Sequence, residues 1–355
     1  MNMPSTSAEN SSSQSHPIKT AIIGLGRSGW GIHGKELSAR EDYQIVAVSD
    51  PDEKHRQEMS DQLACPGFAS IDELLAQTEA ELVVVATPNH FHPEDARKVL
   101  QAGAHCVLEK PIASSYAEAE SLLEISRQTG LHIFPHHQLR VANEFRFLQE
   151  IIGRGILGPI FEIRFAWGGY ARRNDWQVLA KYQGGLLNNH GPHAIDMILN
   201  LADSPVTHIQ SEPRHVKDAG DVDDHFHLFM KTEKNQILDV MVSSSMAIPM
   251  PRTMILGAYG ALQAQDNRTA RLRYYDPAAM PKLEAQEEFG PGVKETLPWV
   301  EETLAMEPST APGNFYDQVT NTLRHNKPFP ISLESASEVV RVLEIARSTP
   351  PHFVV

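Results

Sequence analysis

Cysteine is almost missing from this chain: Cys65 and Cys106 are the only two, and they sit in neither a CxxC nor a CxH pattern. A disulfide framework and a cysteine-based zinc site are thereby excluded, and both thiols read as small buried hydrophobes in a reducing compartment. Basic charge is also short. Lys+Arg number 31 against Asp+Glu 45, a net charge of −14, so a nucleic-acid backbone or an anionic membrane surface is a poor partner. No apolar run approaches the length of a membrane span, and residues 1–16, dominated by Ser, Asn and Gln, lack the basic-then-apolar order of a secretory signal. Internal repeats are absent as well. These absences point to a cytoplasmic protein with a disordered tail over 1–16.

At 355 residues with 41 % hydrophobic content, the chain exceeds one ordinary core and fits two domains. From residue 17 to 136, short apolar runs alternate with amphipathic ones. Strands are expected at 18–23, 43–49, 81–86, 104–108 and 131–134, and the Leu-Val-Val-Val at 82–85 has the texture of a strand buried on both faces. Helices are expected at 52–64, 93–102 and 114–129, the last capped by Ser114 and stopped by Gly130. That alternation means an α/β domain with a doubly wound parallel sheet, a Rossmann arrangement.

From 137 to 355 the texture changes. Alternating strands at 159–167, 206–211, 225–232, 236–243 and 270–275 predict an α+β domain on a large, mostly antiparallel open sheet with one face free for oligomerisation. Helices return at 314–324 and 333–346, and they are candidates to pack back on the first domain. The stretch 276–308, rich in Pro, Glu and Met, reads as an irregular excursion.

Gly24-x-Gly26-x-x-Gly29 follows the first strand directly and opens a helical stretch, and Asp50 ends the next strand 21 positions after Gly29. This is the dinucleotide fingerprint. Gly24 allows the tight turn, Gly26 lets backbone approach the diphosphate, and Gly29 lets helix pack on sheet. Arg27 and Ser28 complete the loop, whose free N–H groups face the phosphates. Asp50, as acceptor for the adenosine ribose hydroxyls, favours NAD over NADP, while Arg27 keeps NADP as the less favoured choice. Thr87, Pro88, Asn89 and His92 follow another strand end, where ligands bind in doubly wound sheets, and are expected to line the cofactor.

Further motifs complete a recognisable set: Ala102-Gly103-Ala104-His105, Glu109-Lys110-Pro111, and Gly184-Gly185-Leu186-Leu187-Asn188-Asn189-His190-Gly191-Pro192-His193-Ala194-Ile195-Asp196. In this order they resemble the glucose–fructose oxidoreductase / inositol dehydrogenase / MocA family across residues 18–346. The resemblance implies NAD(P)-linked hydride transfer at a secondary carbinol of a sugar, polyol or related compound, and association as a homo-oligomer, dimer or tetramer. It also implies that Glu109 and Lys110 sit at the cofactor, with Lys110 touching substrate hydroxyl and nicotinamide ribose, and that His193 is the catalytic histidine. Family members usually carry Asp four residues before that histidine; this chain has Asn189, which hydrogen-bonds but carries no charge and accepts no proton. Asn189 is therefore expected to orient substrate, His193, whose unperturbed pKa near neutrality suits the task, to take the hydroxyl proton, and Lys110 to stabilise the developing oxyanion.

On the substrate side, Arg140, Arg172, Arg173, Trp167, Tyr170 and Trp176 supply the aromatic-plus-Arg composition that grips sugar rings and acidic groups, although an inter-domain edge has the same composition. His190-x-x-His193 and His225-x-His227 match no closed zinc pattern, and no metal is expected. Two other classes fit the same residues. One is an NAD-using hydrolase or lyase that oxidises a glycoside transiently; the other is a non-catalytic dinucleotide-dependent binding protein, which the Asn189 departure makes possible.

Overall fold

The computed structural model describes residues 16–217, 219–285, 295–306 and 312–354; the expected tail, apart from His16, lies outside them. Strand β1 (Ile18–Ile23) leads through the glycine loop into one wide turn of π-helix, Gly29–Gly34, and the short helix α1 (Lys35–Ser38). There follow β2 (Tyr43–Ser49), α2 (Glu53–Leu63), β3 (Gly67–Phe68), α3 (Ile71–Gln77), β4 (Leu82–Val85), α4 (His92–Gln101), β5 (His105–Leu108), α5 (Tyr116–Thr129) and β6 (Ile133–Pro135). The six strands pair in parallel in the order β3-β2-β1-β4-β5-β6, the doubly wound order the alternation predicted. All four residues of β4 are buried, because helices cover both faces of the sheet.

Local chemistry explains the boundaries. Asp52 caps α2 by accepting the N–H of His55. The cap of α5 is Ser115 rather than the expected Ser114. Its hydroxyl accepts Glu118 N–H while Glu118 reaches back to the Ser115 N–H, and only Ser115 has Glu three positions on. Gly130 ends α5 at φ +69°, as expected.

The second sheet has nine strands in the order β14-β13-β12-β11-β7-β10-β9-β8-β15. These are β7 (Ile160–Gly168), β8 (Val206–His215), β9 (His225–Thr232), β10 (Ile237–Ser243), β11 (Thr253–Gly257), β12 (Gly260–Ala264), β13 (Thr269–Tyr274), β14 (Val300–Ala305) and β15 (His352–Phe353). The pairs β7/β10 and β8/β15 are parallel and the rest antiparallel. Period-two alternation on β9 turns Phe226, Leu228 and Met230 to the core and His225 and His227 to the other face. Strand β14 corrects the reading of 276–308 as irregular throughout; residues 286–294 and 307–308 of that stretch lie outside the described ones. The remaining helices are α6 (Asn143–Gly153), α7 (Leu186–Asn189), α8 (Gly191–Ala202), α9 (Pro312–His325) and α10 (Leu333–Arg347).

Three hydrophobic clusters result. Two flank the first sheet, and the third lies between the second sheet and α6, α8 and α10. Helix α10 belongs to two of them: Leu333, Ala336 and Val340 enter the first domain's core, while Val339, Val342, Leu343 and Ala346 enter the second's. Phe315, Tyr316 and Val319 of α9 complete the other flank of the first sheet. The chain therefore closes by returning to its beginning, and the C-terminal ends of the first sheet face the start of α8.

Candidate active site at the domain junction

The phosphate loop is shaped by what its glycines exclude. Gly24 takes φ +82°, and a Cβ there would stand 2.6 Å from the Ala86 carbonyl oxygen. At Gly29 a Cβ would fall 1.7 Å from the Gly24 oxygen, so no other residue closes this turn. Gly26 has nothing within 4 Å of its Cβ direction and is exposed. Open space at the middle glycine between two filled ones is the cradle a diphosphate requires. Ser28 precedes the helical turn without a side-chain cap, and Arg27 is exposed beside it.

Asp50 braces the loop from the end of β2. One carboxylate oxygen accepts the Leu25 N–H at 2.7 Å and the other accepts the Asp52 N–H at 2.9 Å. Each oxygen keeps lone-pair capacity for a ribose hydroxyl. At the end of β4, the Thr87 hydroxyl donates to Asp95 at 2.7 Å. His92 departs from expectation. It is buried, with Nδ1 2.7 Å from the Pro111 carbonyl oxygen and Nε2 2.8 Å from the Thr87 carbonyl oxygen, so neither ring nitrogen is left for a dinucleotide. Its role is to pin the two strand-end loops together.

Glu109 is a second correction. Its side chain is buried away from the cofactor cleft, between His33 Nε2 at 3.1 Å and His136 Nδ1 at 3.0 Å, and its Oε2 accepts the Lys110 N–H. His33 Nδ1 lies 2.7 Å from the Tyr316 hydroxyl, which ties α9 to the site. Burial pushes the Glu109 carboxyl up, but His136 and His33 prevail and hold it well below the usual range. The three donor atoms lie within 4.8 Å of one another, the one such grouping among the described residues. Glu109 Oε1 meets both imidazoles and His33 also meets Tyr316, so these side chains form one buried hydrogen-bonded network.

Lys110 occupies the junction itself. Its Nζ donates to the Asn189 carbonyl oxygen at 3.0 Å, crossing from the first domain to the second. Burial, with Arg27 adding to it against the pull of Glu109, lowers its pKa below the usual lysine value. The Asn189 amide donates to Gln177 Oε1 at 2.9 Å, so its side chain is held toward the 176–178 turn. His193 is buried on the first turn of α8, with Nδ1 unpartnered and its ring 6.1 Å from that of Trp167. Burial, then the Lys110 and His137 charges, push it well below the unperturbed imidazole value. The imidazole is thereby kept uncharged.

Arg140 does not reach substrate space. Its Nε lies 3.1 and 3.0 Å from the two Asp196 oxygens, NH1 lies 2.6 Å from Asn200 Oδ1, and NH2 donates to the Ser335 hydroxyl. It staples α8 to α10. Arg172 and Arg173 line a cavity of about 360 Å³ together with Gln177, Asn189, Lys217 and Asp223. Trp176 is absent from that lining and is 51 % exposed.

Residues that the sequence left unassigned also converge here. His190 stacks edge-on to Trp167 at 5.0 Å and is lowered to about 4 by burial, Lys110, Arg173 and Arg27; in the sequence it registered only as half of a metal-like spacing. His137, buried with Nδ1 unpartnered, stands 3.9 Å from Asp196. Gln177 and Lys217 carried no signal, since nothing local marks a polar residue as facing a cavity.

Comparison with known proteins now defines the class. Residues 18–137 match the model of the GFO_IDH_MocA oxidoreductase family with its NAD-binding Rossmann fold, and residues 145–263 match the GFO/IDH/MocA C-terminal domain. The chain belongs to this family of NAD-binding oxidoreductases, as the sequence resemblance implied. Among curated relatives, a 2,7-anhydro-N-acetylneuraminate hydratase of Mediterraneibacter gnavus is 27 % identical over 68 % of this chain and 66 % of its own length. The scyllo-inositol 2-dehydrogenase (NADP(+)) of Bacillus subtilis is 25 % identical over 93 % and 92 %. In structure, GenD2 from gentamicin A biosynthesis, solved with NAD, has 23 % identity and a TM-score of 0.76 over 98 % of this chain and 97 % of its own.

Proposed function

We propose that this protein is an NAD-dependent dehydrogenase acting on a secondary carbinol of a sugar, polyol or related compound. The observation that carries it is the bond from Lys110 Nζ to the Asn189 carbonyl oxygen, which brings a cofactor-side cation to the edge of the substrate cavity within one turn of His193. When bound, NAD supplies the hydride-accepting ring; Gly24, Gly26, Gly29 and Asp50 hold its diphosphate and adenosine ribose. Asp50, with Asp52 and Glu53 at the start of α2, opposes a 2′-phosphate, which supports NAD over NADP.

The side chains then divide the proton work. His193, uncharged through burial, accepts the hydroxyl proton; an uncharged base stays available well below neutral pH. Lys110 donates to the same oxygen and offsets its developing negative charge, and its lowered pKa eases proton exchange with the base. Asn189 and Gln177 form an amide pair on the cavity wall that orients hydroxyl groups. Thr87, Pro88 and Asn89 border the nicotinamide side. A homo-oligomer through the uncovered face of the second sheet, and a cytoplasmic location consistent with two unpaired buried thiols, complete the reading.

The test is a panel of polyols, aldoses and sugar acids followed by NADH absorbance. Lys110→Met should lower turnover of the responding compound by about a hundredfold, the scale of losing one oxyanion donor. Unchanged turnover in both Lys110→Met and His193→Asn overturns the assignment. A second reading draws on the relative that is a hydratase by name: the same site could oxidise and re-reduce within one cycle. Product formation without net NADH would identify that case.

A further inference from the structure

The helix that presents Asn189 is too short to hold itself in place. Helix α7 has four residues, a single turn, and one turn alone does not recover the cost of its own nucleation. It is pinned from outside at both ends. At its start, the Leu187 N–H donates to Asp223 Oδ2 at 2.8 Å and the Leu186 N–H to the Asp223 carbonyl oxygen at 3.1 Å. At its end, Lys110 Nζ reaches the Asn189 carbonyl oxygen at 3.0 Å, and Asn188 Oδ1 accepts from Arg347 NH1 at 3.4 Å.

Arg347 is the last residue of α10, half-buried, and its guanidinium joins three elements. Besides Asn188 of α7, it meets the Leu343 carbonyl oxygen of its own helix through Nε at 3.1 Å and the Ser114 carbonyl oxygen through NH2 at 2.8 Å. Asn188 and Ser114 stand 159 and 233 positions away in the chain. These three acceptors are uncharged, so the planar fork acts here as a rigid spacer. Ser114 is the fixed point of the loop between Lys110 and α5. Its N–H donates to Glu118 Oε2 at 3.0 Å, and its hydroxyl crosses to Gln183 Oε1 at 3.4 Å. Gln183 itself takes φ +54°, a costly conformation for a residue with a Cβ, just where the chain enters α7. An arginine that fixes Ser114 relative to Asn188 also fixes Lys110, four residues before the one, relative to Asn189, one residue after the other.

We infer that Arg347 is a positioning residue for the reaction: it clamps α7 to the Lys110 loop, so that the Lys110 ammonium is held against the Asn189 carbonyl and toward the oxygen that His193 deprotonates. Arg347 is not among the residues that line the substrate cavity, so it acts through Lys110 and Asn189. The inference rests on the dehydrogenase reading for the reaction and on the bonds of Arg347 alone for the placement.

The experiment titrates Lys110 by NMR in the full chain with NAD bound, using lysine labelled with 13C at Cε and the Lys110→Met spectrum for assignment, so that no substrate is needed. Two variants are compared with the parent. Asn188→Ala removes the α7 arm of the clamp without altering a charge; Arg347→Lys keeps the cation and loses the fork. Glu109 and Arg27, which face Lys110, and His190, His193 and His137, which feel its charge, are the same in both, so a shift reports the placement and hydration of the ammonium. Burial is what chiefly lowers Lys110, so in each variant its titration should move up by about one pH unit toward 10.5. With a compound that responds in the polyol and sugar panel, kcat should fall about tenfold while KM and NAD affinity stay within about twofold. An unmoved Lys110 in Asn188→Ala, an Arg347→Lys that matches the parent, or a shifted Lys110 with unchanged kcat overturns the inference. Should Arg347→Lys fail to fold, Asn188→Ala, at a half-buried position, decides it. If no compound reduces NAD, the dehydrogenase reading falls separately, and the Lys110 titration still decides the placement.

Discussion

Replacing Arg140 by methionine should destabilise this protein severely while barely touching substrate affinity. Its guanidinium meets both oxygens of Asp196, the side-chain oxygen of Asn200 and the hydroxyl of Ser335. The Asp196 side chain is 1 % exposed and that of Arg140 8 %, so the variant leaves a carboxylate in the core without its counter-charge. Breaking a buried pair in this way costs about 3–5 kcal/mol. At roughly 2 °C per kcal/mol for a chain of this size, the melting temperature should drop by about 6–10 °C. Differential scanning fluorimetry with and without NAD reads this directly, and a parallel KM measurement reads substrate contact. Adding Asp196→Asn to Arg140→Met should recover more than half of the loss, because the orphaned charge is then gone. A single variant that melts within about 1 °C of the parent yet raises KM severalfold would refute the staple and return Arg140 to the substrate.

Three other perturbations follow from the geometry. Gly29→Ala places a methyl against the Gly24 oxygen, so NAD binding by fluorescence titration should weaken more than tenfold; Gly26→Ala, facing open space, should fold normally and lose affinity only through the ligand. In the pH profile of kcat/KM, the acid limb should lie below 6.5 because His193 is lowered, and the alkaline limb below 10.5 because Lys110 is; Asn189→Asp should move the acid limb up by about one unit, and an unmoved limb would remove Asn189 from the base's surroundings. Asp223 binds its proton more tightly folded than unfolded, so ionisation costs stability as pH rises from 3.8 through about 7. Asp223→Asn should therefore gain about 2–3 kcal/mol relative to the parent between pH 5 and pH 8 in urea titrations, and a constant difference would contradict the raised value.

What could be read in advance follows the range of each constraint. The glycine loop was legible because its requirements are backbone geometry within six residues, and the parallel sheet because buried strands such as 82–85 are apolar throughout. Arg140 was misread because its partners stand 56, 60 and 195 positions away, and an arginine among aromatics looks the same whether it grips ligand or Asp196. His92 and Glu109 were placed correctly at strand ends, yet side chains there point either to the cleft or into the sheet's end, and both point inward. Strand β14 escaped notice because an edge strand with exposed positions along its length carries no apolar alternation. His190, Gln177 and Lys217 owe their place to loops that meet only once the second domain has formed.

Helix α10 has a consequence for how such a chain can be inherited or cut. Because adjacent positions, Val339 and Val340, insert into different cores, no boundary in the sequence separates the halves cleanly. A nucleotide-binding fragment ending at 136 would expose the apolar bed that Leu333, Ala336 and Val340 cover, and aggregation is its expected fate. Recombination between relatives would have to exchange this last helix together with a matching partner surface on each side. The two modules recognisable in the sequence thus share one helix between their cores, and cooperative unfolding of both is the expected result.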